Sequence, residues 1–94
     1  MSQLQKPTAP ILLRAFCEAA HGSFAVEIDR LTPEGCTAEA PAEWSGDLDF
    51  LRLTLAGQAE INGRVVQHDG KRAEIRFFGQ IHPLVIENWR QRAA

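Results

Sequence analysis

The sequence predicts a small, mostly β domain of about six short strands and one C-terminal helix, arranged as a barrel or a sandwich. Three observations lead to this prediction. Apolar and polar residues alternate with a period of two over several short stretches, and turn-forming residues separate these stretches. Near the end of the chain the apolar period changes to that of a helix. A chain of 94 residues has room for one compact domain.

The first three predicted strands lie in the first half of the chain. Residues 11–17 form an apolar run of strand length. The second strand alternates strictly, and its apolar positions are Phe24, Val26 and Ile28. Residues 32–35, Thr-Pro-Glu-Gly, end it with a turn, and residues 36–40 form a short third strand.

The fourth to sixth strands follow in the second half. Residues 49–55 alternate again, and a further strand leads from Ile61 to His68. The Asp69-Gly70 dipeptide is a strong signal for a β-hairpin. Beyond it, the last strand has the apolar positions Ala73, Ile75 and Phe77.

The C-terminal segment is predicted to be a helix that packs on the strands. Pro83 suits the first turn of a helix. Ile81, Leu84, Val85 and Trp89 recur at helical spacing and form an apolar stripe. Because a helix this short is not stable alone, its stripe must dock on an open mouth or face of the sheet.

Three further aromatic residues lie outside the apolar strand faces. Trp44 is in a loop, where it caps an open end of a barrel or serves as an exposed anchor for a protein partner. Phe50 and Phe78 lie on the faces opposite Leu51 and Phe77. They form either an apolar surface patch or a second small core under the helix.

Composition and charge narrow the functional classes. The hydrophobic fraction of 45% and the charged fraction of 23% are typical of a folded globular protein. The formal net charge is −2, whereas proteins that bind nucleic acid carry a basic excess. We therefore expect no nucleic-acid partner, while two or three local arginines are enough to bind a small anion.

The N-terminal residues and the cysteines bear on cellular location. We interpret residues 1–10, which are polar and contain two prolines, as a flexible arm, and residues 11–94 as the domain. The arm lacks the apolar segment of a signal peptide, and no apolar run approaches the roughly 20 residues of a membrane helix. We expect a cytoplasmic protein that does not insert into membranes, in which Cys17 and Cys36 are reduced and buried.

No pattern in the sequence predicts catalysis or metal binding. There is no nucleophile elbow, phosphate-binding glycine loop or His-Glu-x-x-His helix. Cys17 and His21 are four residues apart, which spans about 13 Å on a strand, against zinc–ligand bonds of about 2.0–2.3 Å. We predict a protein that is not an enzyme and that holds no metal and no cofactor.

The segment from Val26 to Cys36, VEIDRLTPEGC, resembles the core of a PilZ domain, in which an Asp/Asn-x-Ser-x-x-Gly turn joins two strands. The later strands and the sequence His82-Pro83-Leu84 before the helix follow the order and spacing of that family over roughly residues 11–90. The resemblance implies a six-stranded β-barrel with one C-terminal helix. It also implies that the domain binds cyclic di-GMP as a signalling receptor.

The turn motif of that family is incomplete in this chain. Gly35 matches the glycine, and Thr32 keeps the hydroxyl of the serine. Arg30 stands where Asp or Asn accepts hydrogen bonds from a guanine edge, and arginine has only donors. Asp29 is one residue away, which on a regular strand places its side chain on the other face.

The second motif of the family, Arg-x-x-x-Arg, belongs in the arm before the first strand and holds phosphates. In residues 1–10 the only cation is Lys6, and Arg14 starts a match that fails at Glu18. Arg72 and Arg76 have the right spacing, but they lie inside a predicted strand, about 13 Å apart. We interpret that pair as part of a solvated strand face.

Three functional hypotheses follow. The first is a PilZ-like signalling adaptor domain that has lost or weakened cyclic di-GMP binding and acts through protein–protein contacts. The second is a divergent receptor in which Lys6, Arg14 and Arg30 contact the phosphates, assisted by Thr32 and the backbone near Gly35. The third is a structural β domain whose likeness to PilZ is convergent, since small barrels recur with unrelated functions.

Overall fold

The computed structural model describes residues 13–55 and 59–93. It contains six strands and one helix: β1 (Leu13–Ala19), β2 (Gly22–Thr32), β3 (Gly35–Glu39), β4 (Leu51–Leu55), β5 (Ala59–Asp69), β6 (Arg72–Phe77) and α1 (Pro83–Ala93). The prediction of a mostly β fold with a C-terminal helix is confirmed. The predicted arm at 1–10, with Lys6, and the side chain of Trp89 lie outside the described part of the structure.

The six strands close into an antiparallel barrel in the order β1-β2-β3-β6-β5-β4. Closure is completed by the pairing of β1 with both β2 and β4. A closed barrel leaves no unpaired strand edge, so each strand has one face toward the core and one toward solvent. The structure therefore selects the barrel over the sandwich.

Burial alternates along the strands as the sequence predicts. In β1, Leu13, Ala15 and Cys17 are buried, whereas Arg14 and Phe16 are exposed. The largest side chains that are almost wholly buried are Ile28, Leu51, Leu53, Leu55, Ile75 and Cys17. The apolar faces predicted for the second, fourth and last strands are the faces that fill the barrel.

The β5–β6 hairpin is confirmed, with its turn one residue later than the Asp-Gly signal suggests. Asp69 still belongs to β5 and pairs with Arg72, so the loop consists of Gly70 and Lys71. Gly70 has a φ of 61°, in the left-handed region that favours glycine. A two-residue loop of this kind sets the register of the two strands.

Trp44 closes one end of the barrel. Its side chain is 5% exposed, and its indole Nε1–H donates a hydrogen bond of 2.7 Å to the carbonyl of Lys71. The ring meets that of Phe24 edge-on, with the centroids 5.4 Å apart. The interpretation of Trp44 as a cap is confirmed, and its alternative role as an exposed anchor is wrong.

The helix α1 packs against β1 and β2. Of the predicted stripe, Ile81 is buried, at 7% exposure, although it precedes the helix. Ile86 is 4% exposed, whereas Leu84 and Val85 are 71% and 38% exposed. The prediction is wrong at Leu84 and Val85, because Ile81 precedes the helix that begins at Pro83 and so does not share its phase. In residues 13–55 and 59–93, no helix has the length and apolar character needed to cross a membrane.

Candidate functional site

A β-bulge in β2 lies at the start of the motif-like turn. The register between β2 and β3 shifts by one residue between Asp29 and Thr32. Within the bulge, Arg30 has a φ of 52°, a left-handed conformation that residues other than Gly, Asn and Asp rarely adopt. The extra residue resets the alternation, so both Asp29 and Arg30 lie on the solvent side between the buried Ile28 and Leu31.

The expectation that Asp29 and Arg30 lie on opposite faces is therefore wrong. The side chain of Asp29 is 17% exposed, and its Oδ2 lies 3.5 Å from Nη2 of Arg72 on β6. Its Oδ1 is buried and has no hydrogen-bond partner among the described residues. Asp29 is consequently held against the barrel surface by its ion pair with an arginine of β6.

The turn between β2 and β3 uses the whole hydrogen-bonding capacity of the Thr32 hydroxyl. Its Oγ1 accepts hydrogen bonds from the backbone N–H groups of Glu34 and Gly35, each at 3.2 Å. The hydroxyl donates to the carbonyl of Gly35, also at 3.2 Å. Since a hydroxyl has one donor and two acceptor lone pairs, Thr32 stabilises the turn and has nothing left for a ligand.

Gly35 is required by strand packing. It pairs with Arg76 where β3 crosses β6, and a β-carbon at this position would collide with the carbonyl oxygen of Ile75. Glycine permits this close approach of two backbones. The glycine of the motif thus has a structural reason here that does not depend on any ligand.

An open groove of about 300 Å³ runs along the outer surface beside the bulge. Its charged lining residues are Arg30 and Arg76, opposed by Glu34 and Glu74. Among the described lining residues, the two positive and two negative charges balance, so this lining offers no net attraction to a phosphate group. A ligand with two phosphates depends on such an attraction.

A neighbouring groove of about 360 Å³ contains Arg72, whose charge is already neutralised. Its Nη1 lies 3.4 Å from Glu39 and its Nη2 lies 3.5 Å from Asp29. Glu74 lines both grooves and lies between Arg72 and Arg76 on the outer face of β6. The two arginines are thus part of a charged strand face, which agrees with the interpretation of their spacing in the sequence.

Arg14 lies apart from the turn. It is on the outer face of β1, in register with Glu27 of β2, and lines a different groove that also contains Glu27 and Glu39. From Glu27 to Arg30 the strand advances three residues, or about 10 Å. The structure therefore brings together Arg30, the turn threonine and the turn glycine, and leaves Arg14 elsewhere.

Both cysteines are unpaired and face the core. Cys17 is fully buried and Cys36 is 5% exposed. Burial raises the pKa of Cys17 to about 11, with a smaller effect from Glu18, and raises the pKa of Cys36 to about 12, with a smaller effect from Asp29. Both thiols are therefore protonated and poorly nucleophilic at neutral pH. No cluster of three metal-binding side chains occurs in the described residues.

Phe50 and Phe78 form a stacked pair on the outer surface. They are 52% and 53% exposed, and their ring centroids are 6.1 Å apart with the ring planes inclined by 21°. The structure therefore shows the surface patch, and the alternative of a second core under the helix is wrong. The sequence predicts that each ring lies on the side of its strand opposite the apolar face. The contact between the two rings depends on the register of the strands, which the sequence does not show.

No family model, no curated protein and no solved structure matches the chain. The functional proposal accordingly rests on the barrel, the groove beside the bulge and the stacked aromatic pair.

Proposed function

We propose that the protein is a non-enzymatic, PilZ-like signalling adaptor of the cytoplasm, in which cyclic di-GMP binding is lost or weakened and protein–protein contacts carry the function. The observation that carries this proposal is the charge balance of the groove beside Arg30, where Arg76 is the other cation and two glutamates oppose them. The closed six-stranded barrel with its C-terminal helix is consistent with the PilZ resemblance.

Three groups that the resemblance would assign to guanine or phosphate are unsuited to these contacts. Arg30 offers only donors where a guanine edge needs an acceptor. Asp29, the adjacent residue with an acceptor side chain, is ion-paired with Arg72. The hydroxyl of Thr32 is fully engaged in its own turn. Each of these features lowers the expected affinity for the nucleotide independently of the charge balance.

The Phe50–Phe78 pair supports the adaptor part of the proposal. Large aromatic side chains that are half exposed and adjacent are typical of surfaces that bind other proteins. The pair lies on the opposite side of β6 from the groove, because Phe50 precedes β4. Partner binding through the rings therefore does not require a ligand in the groove.

Isothermal titration calorimetry of the full chain with cyclic di-GMP tests the proposal. At tens of micromolar protein we expect no saturable heat. The double variant Glu34→Gln/Glu74→Gln removes the negative charges from the groove and should gain weak but measurable binding through Arg30 and Arg76, since the guanine contacts are still missing. The matched control is Glu27→Gln, on the outer face where β2 pairs with β1. This variant should give no saturable heat. Clear saturable binding by the unaltered chain would overturn the proposal.

The divergent-receptor alternative is favoured by one observation. Arg30 is exposed at the rim of both grooves and forms no ion pair with any described residue. Such a guanidinium can contact a phosphate. On this alternative the unaltered chain binds cyclic di-GMP and Arg30→Ala abolishes binding, whereas Lys71→Ala, at a residue that lines neither of these two grooves, leaves binding intact. Equal affinities for Arg30→Ala and the unaltered chain would contradict the alternative.

A further inference from the structure

The stacked aromatic pair lies across β5 because three strands are in register beneath it. Leu51 of β4, Gly63 of β5 and Phe77 of β6 are directly paired. Phe50 immediately precedes Leu51, and Phe78 immediately follows Phe77, so both rings emerge on the outer side of the barrel next to β5. The barrel backbone therefore places the two residues side by side on the outer surface, where their rings are exposed.

Two arginines lie beside the rings. Arg64 follows Gly63 on β5 and is directly paired with Arg76 on β6, and both side chains are exposed. Directly opposed residues have β-carbons about 4.5–5.5 Å apart, a position in which like charges destabilise the sheet. Neither arginine forms an ion pair with a carboxylate of the described residues. An anion placed between them would relieve this repulsion.

We propose that Phe50, Phe78, Arg64 and Arg76, here called the aromatic–arginine face, bind an acidic peptide segment of a partner protein that carries a large apolar side chain. This inference rests on the proposed adaptor function and identifies its surface and the chemistry of its partner. The apolar side chain covers the exposed ring faces and removes them from water. Carboxylates of the segment bridge the two guanidinium groups through charge-assisted hydrogen bonds, which fix its orientation.

Charge distinguishes this occupant from the two other classes that could cover the face. A second copy of the chain, docked face to face, would bring two further arginines against Arg64 and Arg76. A nucleic acid would meet a protein of net charge −2, with Glu60 and Glu74 exposed on the same two strands. Arg64 borders neither groove and forms no ion pair with a described carboxylate, so an acidic side chain of a peptide placed against Arg64 supplies the missing counter-charge.

The test uses the ¹⁵N-labelled full chain and three probes. The first is a pool of heptapeptides of aspartate and glutamate with a central leucine, phenylalanine or tryptophan; the second is the same pool with lysine and arginine; the third is oligo(dT). We expect only the acidic pool to shift the amide signals of Phe50, Gly63, Arg64 and Phe78. The tightest acidic peptide is then labelled with fluorescein for affinity measurements by polarisation.

Matched variants distinguish binding at the aromatic–arginine face from general effects of charge and of exposed aromatic rings. Arg64→Glu and Phe78→Ala should each weaken the labelled peptide at least tenfold. Lys71→Glu changes the net charge as Arg64→Glu does, and Phe16→Ala removes a ring that is 46% exposed on β1. Both controls should change the affinity less than twofold. Thermal unfolding of each variant, monitored by circular dichroism, confirms that it is folded.

Several outcomes would overturn the inference. These are the absence of binding by any acidic peptide, shifts that map to another surface, and equal weakening by Arg64→Glu and Lys71→Glu. Oligo(dT) binding lost in Arg64→Glu would assign the face to nucleic acid, and a dimer lost in Phe78→Ala would assign it to a second copy. If the unaltered chain gives saturable heat with cyclic di-GMP, the proposed function alone is overturned. If it gives no heat with the nucleotide and also binds no acidic peptide, only this inference is overturned.

Discussion

Replacement of Arg30 by asparagine should stabilise the protein, although it removes a charged side chain from the groove beside the bulge. Arg30 has a φ of 52° in the bulge of β2. In this conformation the β-carbon is close to the following carbonyl oxygen, and the cost for an L-residue is about 1–2 kcal/mol. Asparagine tolerates the left-handed region better than arginine does. Because Arg30 forms no ion pair with a described residue, little is lost with its side chain.

The size of the effect can be worked out for three substitutions at this position. Arg30→Asn should recover about 1 kcal/mol of the conformational cost. Arg30→Gly removes the whole cost, but the added freedom of the unfolded chain opposes it by about 0.4–1 kcal/mol, for a net gain of about 0.5–1 kcal/mol. Arg30→Ala keeps a β-carbon in the strained conformation, so its free energy of unfolding should change by less than about 0.5 kcal/mol.

Thermal and urea unfolding, monitored by circular dichroism, would measure these differences. For a domain of this size, a gain of 1 kcal/mol raises Tm by about 4–8 °C. The expected order of stability is asparagine, then glycine, then alanine and the unaltered chain together. Equal stabilisation by alanine and asparagine would refute the reasoning, since it would trace the gain to the loss of a positive charge. The absence of any gain in the asparagine and glycine variants would refute it as well.

Three other substitutions or conditions test the turn and the core. Gly35→Ala should lower the free energy of unfolding by about 1–3 kcal/mol in urea titrations, because its β-carbon collides with the backbone of Ile75; a neutral result would contradict the close approach of β3 and β6. Thr32→Val should cost about 1 kcal/mol, whereas Thr32→Ser should cost less than half as much, and equal losses would show that the hydroxyl does not stabilise the turn. Unfolded thiols ionise near pH 9.0, but Cys17 and Cys36 stay protonated in the folded state until about 11 and 12. Stability should therefore fall as pH rises from about 9, by up to about 1.4 kcal/mol per pH unit for each thiol, and Cys36→Ala should flatten this slope measurably in urea titrations at several pH values.

The strands were predictable because a closed barrel imposes a local rule on the sequence. Each strand must present every second side chain to the core, so the alternation of Val26 and Ile28 with polar residues shows both the strand and its inward face. The hairpin at Gly70 was equally local, since a two-residue loop between antiparallel strands favours a residue with positive φ, here Gly70. The cap formed by Trp44 followed from a large apolar side chain in a loop beside open barrel ends.

The site itself could not be derived from local patterns. The bulge places Arg30 in a conformation for which arginine carries no sequence signal, so the strand was read as regular and Asp29 was assigned to the wrong face. The sequence does not identify Ile86 as the helix residue that packs on the barrel. Which side chains face the barrel depends on where the helix begins, and the apolar pattern alone does not fix that residue. The Phe50–Phe78 contact depends on the register of three strands, which the sequence around either ring does not contain.

Arg76 connects the groove beside the bulge with the aromatic–arginine face, because its side chain borders the former and is paired with Arg64 in the latter. An acidic peptide that engages Arg76 would leave Arg30 as the only cation among the described residues that line the groove. In the Glu34→Gln/Glu74→Gln variant, which should bind cyclic di-GMP, the two ligands should therefore compete for this one guanidinium.

We expect saturating cyclic di-GMP to weaken the labelled acidic peptide several-fold in that double variant, and to have no effect in the unaltered chain, where the groove does not bind the nucleotide. Linkage requires that the peptide weaken the nucleotide by the same factor, so calorimetry in the presence of peptide provides an internal check. Peptide affinities that stay equal with and without nucleotide, in a variant shown to bind both, would contradict the sharing of Arg76. In that outcome Arg64 alone would hold the carboxylates of the peptide, and the two surfaces would act independently.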